Sequence, residues 1–295
     1  MNVIRAILMM ILAMALLALS DMCIKLAAGL MPMGQVMSML GVLGTGAFSI
    51  LAIKRGEKLF SRDFLHPMAL TRNVMEIFGA FGMIIGIALN PLTTVATILQ
   101  SAPLLVTLGA AVFLREAVGP RRWAAVIIGF LGILLVLRPG TDAFSPAALF
   151  CVVGAAALAM RDLVTRLAPA RVSALVLSTW GFACTTPPAL VYWAIQGQPP
   201  VLTGPAWAAI LGAVLTTTSG YYALTTAMRM APVSIVAPFR YTRLIFVLAI
   251  GVTIFGERPD GLTLLGAAII IASGLYAFLR ERQLARAETT TESLA

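Results

Sequence analysis

The residues able to do chemistry in this chain are few, and most of them stand inside long apolar runs. Asp21 and Lys25 are four apart, Arg72 and Glu76 are four apart with Asn73 between, and Asp162 and Arg166 repeat the first spacing. On a helix an acid and a base at i and i+4 share a face and can neutralise each other. Each pair is therefore expected to be structural or to act as a gate, with Arg72 the natural partner of Glu76. Glu76 lies deeper in its run, which makes it the candidate partner for a proton, an amine or another cation. Two further clusters lie beside prolines inside apolar runs: Gln100 and Ser101 near Pro103, and Arg240, Tyr241 and Arg243 near Pro238. Proline removes a helical hydrogen bond and kinks the helix. A guanidinium beside such a break can hold a carboxylate bidentately, whereas one near a membrane surface can also snorkel out to it. Trp180, Tyr221 and Tyr222 sit deep in their runs and suit either packing or an amphipathic pocket. The expected binding set is Glu76, Gln100, Ser101, Arg240, Tyr241, Trp180 and Tyr221.

Other chemistries lack their residues. The only lysines are Lys25, Lys54 and Lys58, and none follows a phosphate-binding glycine loop. There is no nucleophile elbow, and a single histidine, His66, excludes a zinc pair. Cys23, Cys151 and Cys184 have no metal or redox spacing. No enzyme activity, metal or cofactor is expected.

The elements that hold these groups are dictated by composition. Of 295 residues 60% are hydrophobic and only 11% are charged, with a mean hydropathy of +0.97. A soluble surface needs about 25% charged residues. The apolar runs are long enough to cross a hydrocarbon core of about 30 Å, and they lack the alternation of barrel strands. Ten spans are predicted, at roughly 3–29, 34–53, 66–88, 91–114, 122–137, 144–167, 172–195, 206–229, 232–255 and 259–279. With the N-terminus in the cytoplasm, 14 basic residues fall at the cytoplasmic face and only Arg138 and Arg258 at the other, a strong positive-inside bias. The net charge of +9 thus reflects topology and anionic lipid rather than nucleic acid. Both termini are expected to be cytoplasmic, in a bacterial inner membrane. The polar tail is expected to be disordered.

The chain also repeats itself. Asp21-Met-Cys-Ile-Lys25-Leu-Ala returns as Asp162-Leu-Val-Thr-Arg166-Leu-Ala, an offset of 141 residues. Pro91, Val95, Ala96 and Glu116 return at the same offset as Pro232, Val236, Ala237 and Glu257, and Gly79 returns as Gly220. Gln100 and Tyr241 are equivalents, as are Glu76 and the uncharged Thr217. A unit of five spans is odd, so the second copy enters the membrane inverted, an arrangement typical of secondary transporters. The expected fold is all-α and integral to the membrane: ten helices in an inverted five-plus-five repeat, with units at 1–140 and 141–281 and a tail at 282–295.

The Pro91–Glu116 and Pro232–Glu257 segments are apolar, Thr/Ser-bearing helices ending in Glu. Each is followed by a glycine-rich span (Gly129-Phe-Leu-Gly132, and Gly266 to Gly274). In these segments the chain resembles the drug/metabolite transporter superfamily, in particular its bacterial ten-helix EamA-type carriers. The resemblance covers nearly the whole chain and implies a central cavity lined by spans 1, 3, 4, 6, 8 and 9. It also implies alternating access, with export of amino acids, aromatic and other neutral ones included, as the favoured activity. A carboxylate and guanidinium groups in one cavity suit a zwitterion, and Glu76 would carry any proton coupling. Uptake of a flavin or another vitamin-like metabolite is the alternative, and a passive channel the non-carrier one. The chain departs from the small multidrug pumps of that superfamily, which have a single four-helix unit and a glutamate early in the first span.

Overall fold

The computed structural model describes residues 2–115, 119–165, 167–169, 171–231 and 233–292, with side chains omitted for 2, 229, 233, 234 and 281–292. Glu116, Arg166 and Pro232, singled out by the repeat, lie outside the described residues. Twelve helical segments build the ten predicted spans. They are α1 (Asn2–Leu30), α2 (Met33–Lys54), α3 (Pro67–Leu89), α4 (Leu92–Leu99), α5 (Ala102–Phe113), α6 (Pro120–Leu137), α7 (Ala148–Thr165), α8 (Ala174–Gln196), α9 (Gly204–Met230), α10 (Val233–Val236), α11 (Thr242–Ile254) and α12 (Gly261–Glu292). Among the described residues nine spans are both long and apolar enough to cross a membrane. The remaining one, α9, has the length, but Thr216-Thr-Thr-Ser219 and two tyrosines make it more polar. The helix of α12 runs on to Glu292, where the sequence reading expects disorder from 282. The segment Arg280–Ala287 is rich in Arg, Glu, Gln, Leu and Ala, which are strong helix formers.

Two spans are broken where the prolines predict. α4 ends at Leu99, and α5 restarts at Ala102 with Pro103 in its first turn. The twin span passes from α10 through a 3-10 turn, Ala237–Tyr241, which contains Pro238, before α11 begins. Proline has no N–H to donate and fixes φ, so it is accommodated where a helix is already starting.

The packing obeys the inverted repeat. Shifting by 141 residues maps α1 onto α7, α2 onto α8, α3 onto α9, the α4–α5 span onto the α10–α11 span, and α6 onto α12. The main helix pairs are α1 with α9, α7 with α3, α2 with α8, and α6 with α12. That set is unchanged by the mapping. Single contacts obey it too. Gly79 faces Leu158 and Gly220 faces Leu17, and these two pairs are images of one another. At the crossing of α3 and α7, a Cβ on Gly82 would stand 2.7 Å from the Gly154 Cα. Lipid chains are as apolar as leucine, so such close backbone approach is what holds membrane helices together. The axis passes between the broken spans, where Gln100 Nε2 donates to the carbonyl of its own image, Tyr241, at 3.3 Å.

Candidate functional site

The breaks in the two proline-bearing spans, together with α1, α3, α7 and α9, enclose a cavity of about 290 Å³. Its charged lining is Asp21, Glu76, Arg161, Asp162, Arg240 and Arg243, joined by Gln100, Tyr241, Ser20 and Thr217. An apolar side chamber of about 120 Å³ shares Ile24, Glu76, Ala80, Ile84 and Thr217 with it and extends to Phe182.

One ionic chain crosses the wall of this cavity. Arg72, buried on α3, donates to the Leu177 carbonyl at 2.6 Å and to Asn73 Oδ1 at 3.1 Å, and pairs with Glu76 at 3.0 Å. Glu76 also accepts from Arg161 at 3.1 and 3.2 Å. Arg161 in turn grips Asp162 Oδ1 through Nε at 3.0 Å and Nη2 at 2.7 Å. Glu76 is thus held between two guanidiniums. Across the axis, at the image positions of Arg161 and Glu76, Ser20 and Thr217 hydrogen-bond hydroxyl to hydroxyl at 2.5 Å. The same contact is ionic in one half of the cavity and neutral in the other. Asp21 is satisfied by Arg243, whose Nη2 reaches both oxygens at 2.8 and 2.6 Å.

Tyr241 Oη and Arg243 Nε are buried without a hydrogen-bond partner among the described residues, and two further groups are left open to the cavity. No hydrogen bond from a described residue reaches Asp162 Oδ2, although its side chain is 37% exposed to the cavity. Arg240 is exposed there and has no hydrogen-bonding partner among the described residues.

Above Ile24 a layer of polar contacts closes the cavity on the side away from the termini. Lys25 pairs with Glu257 at 3.0 Å, donates to the Asn90 carbonyl at 2.8 Å and lies 5.1 Å from the Phe255 ring. Glu257 also caps α4, accepting from the Leu92 and Thr93 N–H groups at 2.5 and 3.0 Å. Beyond the layer lies a second hollow of about 310 Å³, lined by Asn90, Thr93, Arg138, Glu257 and Asp260. Arg138 on its rim holds the Asp260 carboxyl well below the usual carboxylate range.

Several expectations need correction. Asp21 and Lys25 do not neutralise each other: Asp21 pairs with Arg243 on α11, and Lys25 with Glu257 in the connection between α11 and α12. Asp162 pairs with its neighbour Arg161, and its expected partner Arg166 lies outside the described residues. An exposed i, i+4 pair is worth only about 0.2–0.5 kcal/mol, and charge-assisted bonds between buried helices outweigh it. Ser101 is fully buried and donates to the Ile98 carbonyl at 2.6 Å, so it serves the helix break rather than the cavity. Trp180 donates from Nε1 to the Leu59 carbonyl at 2.8 Å and packs edge-on against Phe64. Tyr221 stands edge-on to Phe48. Neither aromatic lines the cavity. Glu76, Gln100, Arg240 and Tyr241 do line it, and Arg72 stands directly behind. Arg161, which the sequence reading does not single out, also lines the cavity; its signal in the sequence is a charge beside Asp162 within an apolar run.

The EamA-like transporter family matches residues 4–138 and again 145–279. The chain belongs to the EamA-like transporter family. The two matches are themselves displaced by 141 residues, the offset that relates the helices. Among similar proteins, a riboflavin transporter of Rhizobium johnstonii is 32% identical over 79% of this chain and 77% of its own. An S-adenosylmethionine uptake transporter of Rickettsia bellii is 31% identical over 76% of this chain and 75% of its own. The pseudopaline exporter CntI of Pseudomonas aeruginosa is 26% identical over 90% of this chain and 93% of its own. A crystal structure 19% identical to the chain matches 95% of it, and 98% of its own chain, with a TM-score of 0.63, which supports the fold. The transporter is a multi-pass membrane protein that moves small metabolites.

Proposed function

We propose that this transporter carries a zwitterionic metabolite by alternating access: an α-amino acid, or a derivative such as S-adenosylmethionine that keeps the amino-acid head. The observation that carries this reading is that two opposite charges open to the cavity, the Arg240 guanidinium and Asp162 Oδ2, have no hydrogen-bond partner among the described residues. The Arg240 guanidinium meets the carboxylate, and the open oxygen of Asp162 meets the ammonium or another cationic centre. The apolar side chamber takes the ring or aliphatic arm. Glu76, pinned between Arg72 and Arg161, sets the position of Arg161 and leaves Asp162 as the carboxylate open to a proton or an amine. Flavin uptake is the second reading, supported by the riboflavin-transporting relative and by the apolar chamber. The relatives are named for both uptake and export, so the expected export is one arm of the test. The proposed location is a bacterial inner membrane, and the positive-inside bias supports an orientation with both termini cytoplasmic.

Proteoliposomes supplied with labelled methionine, aromatic amino acids, S-adenosylmethionine and riboflavin, loaded inside or outside, separate these readings. A charge-assisted hydrogen bond is worth about 1.5–3 kcal/mol, so Arg240→Ala should weaken a zwitterion by roughly 10- to 150-fold. Asp162→Asn should do the same and remove the pH dependence of transport. Saturable riboflavin flux that ignores both substitutions, with no zwitterion carried, would select the flavin. Flux that never saturates would select a channel.

A further inference from the structure

Outside the cavity, α1, α2 and α9 form an apolar groove of about 790 Å³ on the lipid-facing side, lined by Met9, Leu12, Leu16, Ile50, Leu215 and Tyr222 among others. Along α9 the lining runs from Leu211 to Tyr222, roughly 17 Å at the helical rise. One leaflet of a hydrocarbon core about 30 Å thick has a similar depth. The end of the groove nearest the termini is basic. Arg5 lies on the α1 face that carries Met9, Leu12 and Leu16, at spacings of four, three and four residues. Lys54 lies one turn beyond Ile50 and Leu51 on α2. Arg55 sits over the Tyr222 ring at 5.0 Å, at the mouth of the groove. All three side chains are exposed, and none has an ion-pair partner among the described residues.

We propose that this groove is a binding site for one anionic phospholipid, with an acyl chain along α9 and the phosphate held by Arg5, Lys54 and Arg55. A neutral lipid would fill the apolar part but leave three cations unmatched. A second copy of the chain would bring its own basic end against this one. Arg55 stacked on Tyr222 places the charge where a glycerophosphate leaves the hydrocarbon. The site is independent of what the cavity carries.

The test uses the full chain in mixed micelles, with native mass spectrometry of bound dioleoyl phosphatidylglycerol against dioleoyl phosphatidylcholine. One phosphatidylglycerol should survive delipidation per chain. Its retention over phosphatidylcholine should fall about fivefold for each of Arg5→Gln, Lys54→Gln and Arg55→Gln, since a basic residue near a bilayer surface contributes about that factor. Leu215→Trp, which fills the groove and leaves the cations in place, should lower retention of both lipids. Because Arg55 is exposed, Arg55→Gln should fold even if Leu215→Trp does not. Equal retention of the two lipids by the wild type, or unchanged preference in the Gln variants, would overturn the proposal. So would a disulfide linking two copies through Leu215→Cys under mild oxidation.

Discussion

The polar layer above the cavity should set how often the cavity opens to the face away from the termini. Glu257 is its hub, because one carboxylate accepts from Lys25 and from two backbone N–H groups of α4. Glu257→Gln keeps the volume and one acceptor but removes the charge that Lys25 needs. Losing one charge-assisted bond of about 1.5–3 kcal/mol shifts the ratio of sealed to open states by roughly 10- to 150-fold, provided that the contact is absent from the open state. The readout is a reporter cysteine, Ala80→Cys, in the cavity wall, with Cys23, Cys151 and Cys184 replaced. A membrane-impermeant maleimide is added on the side away from the termini. Its rate should rise by that factor in Glu257→Gln and in Lys25→Met. The double variant should rise no further than the larger single effect, since both substitutions break one contact. Unchanged labelling in both single variants would refute the idea that this layer is the seal.

Three other outcomes are expected. Gly82→Ala should destabilise the α3–α7 crossing by about 1–3 kcal/mol in thermal unfolding, because its Cβ would meet the Gly154 backbone. Gly46→Ala, with nothing within 4 Å of the new methyl, should not. Asp63, in the 3-10 turn Arg62–Leu65 before α3, is held down to about 2 from 3.8 by hydrogen bonds from Arg171 and Ser61. A depressed carboxyl stabilises the fold above its unfolded value and loses that contribution as pH falls. The difference in melting temperature between wild type and Asp63→Asn should therefore hold from pH 7 to about 4 and shrink toward pH 2. A difference that did not change with pH would mean that Asp63 acts through packing alone. Finally, a cysteine at Gln198 should be labelled from outside the cell and one at Lys58 should not; the reverse pattern would sink the assigned orientation.

The helices were legible because each is an apolar run bounded by Pro, Gly or charge. The repeat was legible because Asp21, Gly79, Pro91 and Glu116 have identical images. The breaks followed from Pro103 and Pro238, since proline acts on its own backbone whatever the surroundings. Partner choice was not legible. Lys25 has an acid one turn away yet binds Glu257, 232 residues further on, because the interior offers a carboxylate already fixed by two N–H groups. Trp180 is as deep in its span as a site residue would be, but its indole finds Leu59, which nothing local announces. Arg161 is visible as a charge beside Asp162, but nothing local announces that it reaches Glu76, 85 residues back.

That mismatch between Arg161–Glu76 and Ser20–Thr217 bears on the thermodynamics of the cycle. Two identical inverted units that exchange conformations would produce two end states of equal free energy, a degeneracy imposed by the duplication. Every image contact that differs in strength lifts it. Here an ion pair between the units on one side of the axis stands for a hydroxyl pair between them on the other, so under the proposed alternating access the resting carrier would be biased toward whichever end state keeps the ion pair closer. Substituting Ser20 and Thr217 together with a complementary charge pair would restore the balance without touching a charged residue of the native cavity. On the proposed cycle, the resting orientation would thus be tunable at two small hydroxyl-bearing side chains.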